Sequence, residues 1–555
     1  MKADVSAGRP YETVRAERAA QALSATMMNI PLSVMDFIGR AETYFADHEI
    51  VVRQGRGAVR RLNWGKLAQD VRALATALTS LGVKHGDRVA SLMWNNEQHL
   101  ALFYAVPAIG AVLHTLNPRL SADELAYIMS DAGDNALFVD EDLLPLWNDV
   151  AERLTLPLVI VNGAAKAGEG RHAFADLLLH APLTNVFRNT DENAPLSICY
   201  TSGTTGRPKG VVYSHRSTVL HTLAVNQPDA LALSCRDCIL PLAPMFHVNA
   251  WGTPYIAAMV GAKMVLAGAH ITPEEILDLM EREGVTHALG VPTIWAGVLD
   301  MLERFPGRWT LRAGIRFEVG GSAAPADMFR RCDRLGIALK HGWGMTECSP
   351  IGAQVPLSPR YDKASDDERL TLRASNGIAQ PLVGARIVDD AGQALEHDGM
   401  ARGELQVRGP FITDHYIGVP APIPACTSDG WLKTGDVATI NAEGYIKIVD
   451  RLKDLIKSGG EWISSIDMEG ALMSHPDIAE AAVIGVPDPK WAERPLAIIV
   501  FKSARRCEIE DIKSFLTSRY PRWMVPEHYV VIDEIPKTAT GKFNKRLLRE
   551  TYGGA

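Results

Sequence analysis

The chain lacks a long apolar run. Its most membrane-like stretch, Ala101 to Leu113, is interrupted by Pro107 and Gly110 and falls short of the roughly 20 residues that a spanning helix needs. Met1 to Pro10 holds no apolar core of the secretory type, and Tyr552-Gly553-Gly554-Ala555 is not a peroxisomal address. A cytoplasmic protein without an integral membrane segment is therefore expected. Cysteine is sparse: the seven, at 199, 235, 238, 332, 348, 426 and 507, form no regular framework, which suits a reducing compartment. Cys235-Arg236-Asp237-Cys238 is a lone C-x-x-C with no second pair and no H-x-x-x-H after it, so it is read as neither a metal nor a redox site. Positive charge is also short, with 57 Lys and Arg against 65 Asp and Glu, and the net charge of −8 makes nucleic acid an unexpected partner. Internal repeats and low-complexity tracts are missing, which excludes solenoids and linker-rich scaffolds.

What remains is an ordinary soluble, enzyme-like composition, 47% apolar and 22% charged, spread over 555 residues, too many for one core, so two to four domains are expected. The most informative stretch is Tyr200-Thr201-Ser202-Gly203-Thr204-Thr205-Gly206-Arg207-Pro208-Lys209-Gly210-Val211, between the apolar runs Leu196 to Cys199 and Val211 to Tyr213. Its glycines free backbone N–H groups to face an anion, its hydroxyls add donors or a metal ligand, and Lys209 adds charge. A loop between two strands that handles phosphate is expected. It is not a G-x-x-x-x-G-K-[ST] loop, because Pro208 intervenes and glycine follows Lys209.

Helix-to-strand handovers recur along the chain. After an irregular lead-in to about residue 30, the first clear element is a helix from Lys66 to Leu81, stopped by Gly82 and followed by a strand over Asp87 to Leu92. The pattern returns at Glu274 to Glu283 with a strand at Val285 to Val291, and at Ala326 to Leu335 with a strand at Gly336 to Leu339. Such alternation predicts an α/β fold with a largely parallel sheet, helices on both faces, and ligands at the carboxyl ends of the strands. From about Ala385 to Asp450 the texture changes to short strands and turns, an antiparallel β-subdomain. From Lys453 onward helices at Ile466 to Met473 and Ile509 to Leu516 alternate with strands at Ala481 to Val486, Leu496 to Phe501 and Tyr529 to Ile532, a small α+β domain of its own.

Five further constellations carry chemistry. His341-Gly342-Trp343-Gly344-Met345-Thr346-Glu347 is expected beyond the end of the strand around Leu339, with Trp343 free to stack on a base, Thr346 to donate to a phosphate and Glu347 to hold Mg²⁺. Gly320-Gly321-Ser322-Ala323-Ala324-Pro325 is a second tight strand end that would admit a planar ring beside the backbone. In Lys433-Thr434-Gly435-Asp436 an acidic group at a strand-end turn could accept from ribose hydroxyls, although a plain turn reads equally well. The charged run Asp450 to Trp462 is either a solvated face or a hinge, and the basic loop Pro536 to Arg546 is either surface or the carrier of one lysine into a site formed by the other domain.

Taken together and in this order, the motifs resemble the adenylate-forming superfamily of acyl-CoA synthetases, luciferases and non-ribosomal adenylation domains. The segment Lys457 to Ser465 is similar to that of bacterial medium- and long-chain fatty-acid–CoA ligases, whose near relatives include ligases for 3-methylthiopropionate. The resemblance implies a large N-terminal domain over 1–452, made of layered α/β subdomains plus a β-subdomain at about 385–450, and a small mobile α+β domain over 453–555. It implies Mg²⁺ and ATP at Thr201 and Glu347, with phosphates also met by Ser202, Gly203, Thr204, Thr205, Lys209 and Thr346. Gly321, Ser322, Ala323, Trp343 and Gly344 would line the adenine slot, and Asp436 and Arg451 would hold the ribose. Lys453 aligns with the hinge and Lys542 with the lysine of adenylation, while Lys457, Gly459, Gly460 and Trp462 would face the pantetheine of coenzyme A. His247, Val248 and Trp251, in the apolar run Pro244 to Gly252, would line the acyl pocket, with Trp251 as its gate.

The implied reaction joins a carboxylic acid to coenzyme A through an acyl-adenylate. Transfer to a carrier-protein thiol, oxidation as in luciferases, and a non-catalytic nucleotide-binding role are the alternatives. Relatives of this kind are often homodimers through the N-terminal domain.

Overall fold

The computed structural model describes residues 25–55, 57–163, 171–180, 191–201, 207–356, 358–418, 421–459, 461–502, 507–538 and 542–553. Ser202, Gly203, Thr204, Thr205 and Gly460 lie outside the described residues.

Two large sheets form the body. One has seven strands in the order Arg171–Ala173, Leu158–Asn162, Ala136–Asp140, Arg88–Leu92, Val112–Thr115, Pro195–Tyr200 and Gly210–Ser214. All its neighbours are parallel except the last pair, which forms an antiparallel hairpin with Tyr200 opposite Gly210. The expected phosphate loop is the connection of this hairpin. The other sheet has nine strands, with the parallel run Glu49–Arg53, Lys263–Leu266, Cys238–Pro241, His287–Gly290, Arg316–Val319 and Ala338–Gly344 at its centre. A single parallel sheet was too simple an expectation: the alternating units divide between two.

The helix Glu97–Ala108 is buried along most of its length, in a core shared by Val89 and Leu113 of one sheet and Met264, Leu266 and Leu289 of the other. That placement explains the membrane-like texture of its sequence, since a helix apolar all round belongs in an interior. Among the described residues no helix is long and apolar enough to cross a membrane.

Local signals placed the handovers well. The helix Trp64–Ser80 begins where the Asn63 side chain accepts from the Lys66 N–H at 2.8 Å, and Pro273–Glu283 opens with a reciprocal Thr272–Glu275 capping box and ends at Gly284, φ 66°. Three readings are corrected. The helix Met35–Tyr44 and the strands Glu49–Arg53 and Val59–Asn63 precede the first element the sequence pattern made clear. The strand expected to end near Leu339 runs through Gly344, because after pairing with Arg316–Val319 it pairs antiparallel with Ile351–Gln354. Lys433 to Asp436 is not a strand-end turn but lies inside the strand Leu432–Ile440, which tolerates Gly435 at φ 68° where the pairing with Gly403–Arg408 shifts register.

That strand belongs to the four-stranded antiparallel sheet Gly384–Val388, Gly403–Arg408, Leu432–Ile440 and Ile446–Arg451. Its apolar face packs on Trp343, Cys348 and Ala353. Beyond it the strands Ile456–Ser458, Glu461–Ile463, Ile478–Asp488, Ala492–Phe501 and His528–Val531 form a five-stranded sheet, covered by the helices Ser465–Met473, Ile509–Thr517 and Lys545–Tyr552. The fold is thus mixed α/β, with a large N-terminal and a small C-terminal part.

Candidate active site

Glu347, Asp436, Arg451 and His247 of the large part lie close to Lys542 of the small part. Glu347 sits in the short turn Thr346–Cys348 just beyond the long strand, and is buried. Its Oε1 accepts from the Tyr416 hydroxyl at 2.7 Å, and the Lys209 ammonium stands over the Tyr416 ring at 4.8 Å. Thr201 closes the hairpin from the other side: its N–H donates to the Lys209 carbonyl at 2.9 Å and its Oγ1 accepts from the Lys209 N–H at 3.2 Å. Thr201, Lys209 and Glu347 are therefore linked through Tyr416. A second tyrosine, Tyr213, donates to the Thr346 carbonyl at 2.7 Å. Sequence reasoning missed both tyrosines, because a single tyrosine in an apolar strand carries no motif.

Asp436 faces Arg451 across neighbouring strands, with Arg451 Nε 2.8 Å from its Oδ1, while the Trp343 indole N–H donates to its Oδ2 at 2.8 Å. Trp343 is buried and lies within the strand Ala338–Gly344 rather than beyond its end, which leaves it less freedom than the sequence pattern suggested. Close backbone approach explains its neighbour: a Cβ on Gly344 would lie 2.1 Å from the Pro350 carbonyl oxygen. The Gly321–Ala323 segment follows the strand Arg316–Val319, with Gly321 at φ 82°, and is exposed.

Lys542, from the C-terminal part, reaches this cluster. It is anchored by a Thr538 N–H to Lys542 carbonyl bond of 2.7 Å and a Lys542 N–H to Thr538 Oγ1 bond of 3.2 Å. Burial, with Arg451 beside it, pulls its ammonium down to about 8 against the opposing pull of Asp436 and Glu347. His247 is pushed down to about 4 by burial and then by the Lys542 and Arg119 charges, so its imidazole is neutral near pH 7. Arg119, whose guanidinium lies 5.7 Å from the Phe246 ring, is a further site residue the sequence pattern did not reveal.

Val248, Asn249, Ala250 and Trp251 have φ of 43°, 52°, 48° and 58°, and Gly252 continues at 79°. Four consecutive L-residues in this left-handed region cost roughly 1–2 kcal/mol each. Clamps offset that cost: Asn249 Nδ2 donates to Ser197 Oγ at 3.1 Å, the Ala250 N–H reaches the Pro244 and His247 carbonyls at 3.2 Å, and Thr253 Oγ1 donates to the Ala250 carbonyl at 2.8 Å. The turn thrusts Trp251 toward the strand end, where a Cβ on Gly320 would meet its ring at 3.4 Å.

The charged run from Asp450 is not a solvated face throughout. Asp450 is buried and accepts from the Ser465 N–H and hydroxyl at 2.5 and 2.7 Å, and the Ser464 hydroxyl donates to the Val449 carbonyl at 2.6 Å. Lys453 is exposed in the turn between the two parts. Lys457 is also exposed, with its ammonium over the Trp462 ring at 4.5 Å, and Gly459 donates to the Trp491 carbonyl at 2.8 Å. Lys457 and Gly459 thus belong to the small part's own hairpin rather than to the Lys542 cluster.

For a divalent cation the fit rests on chemistry. Glu347, held by Tyr416, and Thr201, held by Lys209, offer a carboxylate and a hydroxyl, the hard oxygen donors that Mg²⁺ takes.

Residues 39–417 match the family model described as AMP-binding enzyme, and residues 467–542 match the AMP-binding enzyme C-terminal domain. The chain is 46% identical over 540 residues to a long-chain-fatty-acid–CoA ligase of Thermus thermophilus, a match covering 96% of this chain and 99% of that one. It is 42% identical to a 3-methylmercaptopropionyl-CoA ligase of Ruegeria lacuscaerulensis, covering 95% and 99%, and 42% identical to a medium-chain-fatty-acid–CoA ligase of Ectopseudomonas oleovorans, covering 95% and 97%. Among solved structures, ATP-bound MatB from Rhodopseudomonas palustris superposes with a TM-score of 0.78 at 25% identity, over 94% of this chain and 99% of that one. The anthranilate–CoA ligase AuaEII with anthranoyl-AMP gives 0.83 at 24% identity, over 95% and 99%, a likeness of fold.

Proposed function

Because this chain belongs to the AMP-binding enzyme family, we propose that it joins a medium- to long-chain carboxylic acid to coenzyme A, using ATP and releasing AMP and pyrophosphate. The observation that carries this reading is the entry of Lys542 among Glu347, Asp436, Arg451 and His247. Bringing a carboxylate to the α-phosphate of ATP gathers negative charge, and preorganised cations in a buried site stabilise the charge of the transition state. Lys542 supplies one such cation. Mg²⁺, held by Glu347 and Thr201, would supply further charge neutralisation at the phosphates.

Asp436, fixed by Trp343 and Arg451, would accept from the ribose hydroxyls. Neutral His247 would donate to or accept from the acid without adding charge. The exposed Gly321–Ala323 edge and Trp343 would border the adenine. Trp251, on its left-handed turn, would gate the acyl pocket. The division into 1–452 and 453–555, with the small part swinging about Lys453 to bring Lys457, Gly459, Gly460 and Trp462 to the pantetheine, belongs to the same reading. The same reading places the reaction in the cytoplasm.

A second reading, a short thioether acid such as 3-methylmercaptopropionate, is favoured by the 42% identity to ligases named for it. One experiment separates them: a panel of plain, short and thioether acids incubated with ATP, with and without coenzyme A, read by pyrophosphate release and by mass detection of the thioester. Acid-dependent pyrophosphate release with coenzyme A thioesters of the longer acids is expected. Release without any coenzyme A thioester would turn the assignment to a carrier-protein thiol, and ATP binding without release would leave a non-catalytic protein.

A further inference from the structure

The strands Arg316–Val319 and His287–Gly290 are parallel neighbours, with His287 opposite Arg316 and Leu289 opposite Glu318. Alternation along them sends Ala288, Phe317 and Val319 into the core around Trp295. Leu289 points to the opposite face, into the core that contains Val219, Val225, Leu231 and Ala250 and against which Trp251 packs. His287 and Glu318 share that face with Leu289 by register. Two residues beyond Glu318 comes Gly320, the position that the Trp251 ring covers. Glu318 thus stands one same-face step, roughly 7 Å, below the strand end that Trp251 closes.

Both groups are deeply buried, His287 fully and Glu318 with 3% exposed, yet their hydrogen bonding is incomplete. Gln380 Nε2 donates to Gln354 Oε1 at 3.0 Å, and Gln354 Nε2 donates to Glu318 Oε2 at 3.1 Å. There the relay stops. Glu318 Oε1 has no hydrogen-bond partner among the described residues, and neither ring nitrogen of His287 has one. Their mutual approach, Nε2 to Oε1 at 3.5 Å, is an ion-pair distance outside hydrogen-bond geometry. A buried carboxylate oxygen and an imidazole left in this way are costly, and native interiors provide such groups with a ligand or a water.

We propose that Glu318 and His287 form the polar far end of the acyl site and select acids bearing a hydroxyl remote from the reacting carboxylate. The proposal rests on the acid–CoA ligase reading. A hydroxyl donates to Glu318 Oε1 and accepts from a His287 N–H, so one group meets an unpartnered atom of each residue. An alkyl end completes neither and desolvates the pair further, so plain chains reaching this depth are disfavoured.

The test uses matched unbranched acids of increasing length, each with and without a terminal hydroxyl, assayed with the full-length protein for kcat and KM in thioester formation. At the length that spans the site, the hydroxylated acid is expected to have the higher kcat/KM by roughly 10–100-fold, the scale of one or two hydrogen bonds to buried or charged groups. The double variant His287→Phe, Glu318→Val should reverse the preference toward plain acids of the same length. Should that variant fail to fold, Glu318→Gln keeps the shape and is expected to reduce the hydroxylated-over-plain ratio of kcat/KM severalfold. Equal kcat/KM for hydroxylated and plain acids at every length overturns the proposal, as does a preference unchanged in Glu318→Gln; the pair would then hold only an internal water. Absence of acid-dependent pyrophosphate release with every acid overturns the ligase reading itself, a result separable from the other two.

Discussion

Lys542 carries its charge under tension. Burial and the neighbouring Arg451 disfavour the ammonium, while Asp436 and Glu347 favour it, and the balance leaves it near 8 rather than the ordinary 10.5. If the protonated form serves adenylation, the rate of acid-dependent pyrophosphate release falls as pH rises through about 8. Lys542→Arg, whose charge persists, should lift that alkaline limb. His247, near 4, is already neutral throughout this range and adds no limb of its own. The stability effect has the opposite sign from the rate: the unfolded chain holds this proton more tightly between about 8 and 10.5, so Lys542 contributes increasing stability as pH rises across that window. Lys542→Ala is expected to slow acyl-adenylate formation by roughly 10²–10³-fold, the scale of one preorganised electrostatic contact. Thioester formation from supplied acyl-adenylate should be largely spared, and equal loss of both steps would refute the assignment. Tyr416→Phe removes the donor to Glu347 Oε1. A hydrogen bond to a charged group contributes about 1.5–3 kcal/mol, so the melting temperature should fall and the KM for ATP should rise severalfold as Glu347 loses its orienting donor; an unaltered KM would mean that Glu347 needs no orienting partner.

The strand Ala338–Gly344 changes partner along its length, parallel to Arg316–Val319 first and antiparallel to Ile351–Gln354 after. This hands the chain from the large sheet to the turn that holds Glu347. Gly344→Ala would drive a methyl into the Pro350 carbonyl, a backbone atom that no rotamer change can relieve. Loss of nucleotide binding by calorimetry, with a lowered melting temperature, is the expected outcome; parental affinity would show that the close approach is dispensable. The same element marks the reach of sequence reasoning. Helices such as Trp64–Ser80 were legible because their apolar period and caps are local. The strand Leu432–Ile440 was not, since Lys433-Thr434-Gly435-Asp436 reads as a turn and only pairing with Gly403–Arg408 and Ile446–Arg451 holds it extended. Glu347, Asp436 and Lys542 were legible from family motifs, whereas Tyr213, Tyr416 and Arg119 acquire their roles from tertiary contacts without a local pattern. Asp450 looked like part of a solvated run because its partner, the Ser465 N–H, is displayed only once the small sheet docks.

At the scale of the whole molecule, the site is a meeting of segments more than three hundred residues apart, from Thr201 to Lys542. Asn249 gives that meeting an energetic direction. Its side chain ties the left-handed turn of Trp251 to Ser197, on the strand Pro195–Tyr200 that leads directly to Thr201. On the proposed reading, a shift of the turn when an acid enters would be felt on the nucleotide side, and linkage makes the effect reciprocal: the factor by which ATP alters affinity for the acid equals the factor by which the acid alters affinity for ATP. Asn249→Ala should bring that factor toward one in paired calorimetric titrations, even where the binary affinities change little. A factor equal to the parent's would show that the two substrates communicate by another route. The amide of Asn249 would then be a clamp on a strained turn and nothing more; if the factor falls, it is the thermodynamic cross-term of a two-substrate enzyme.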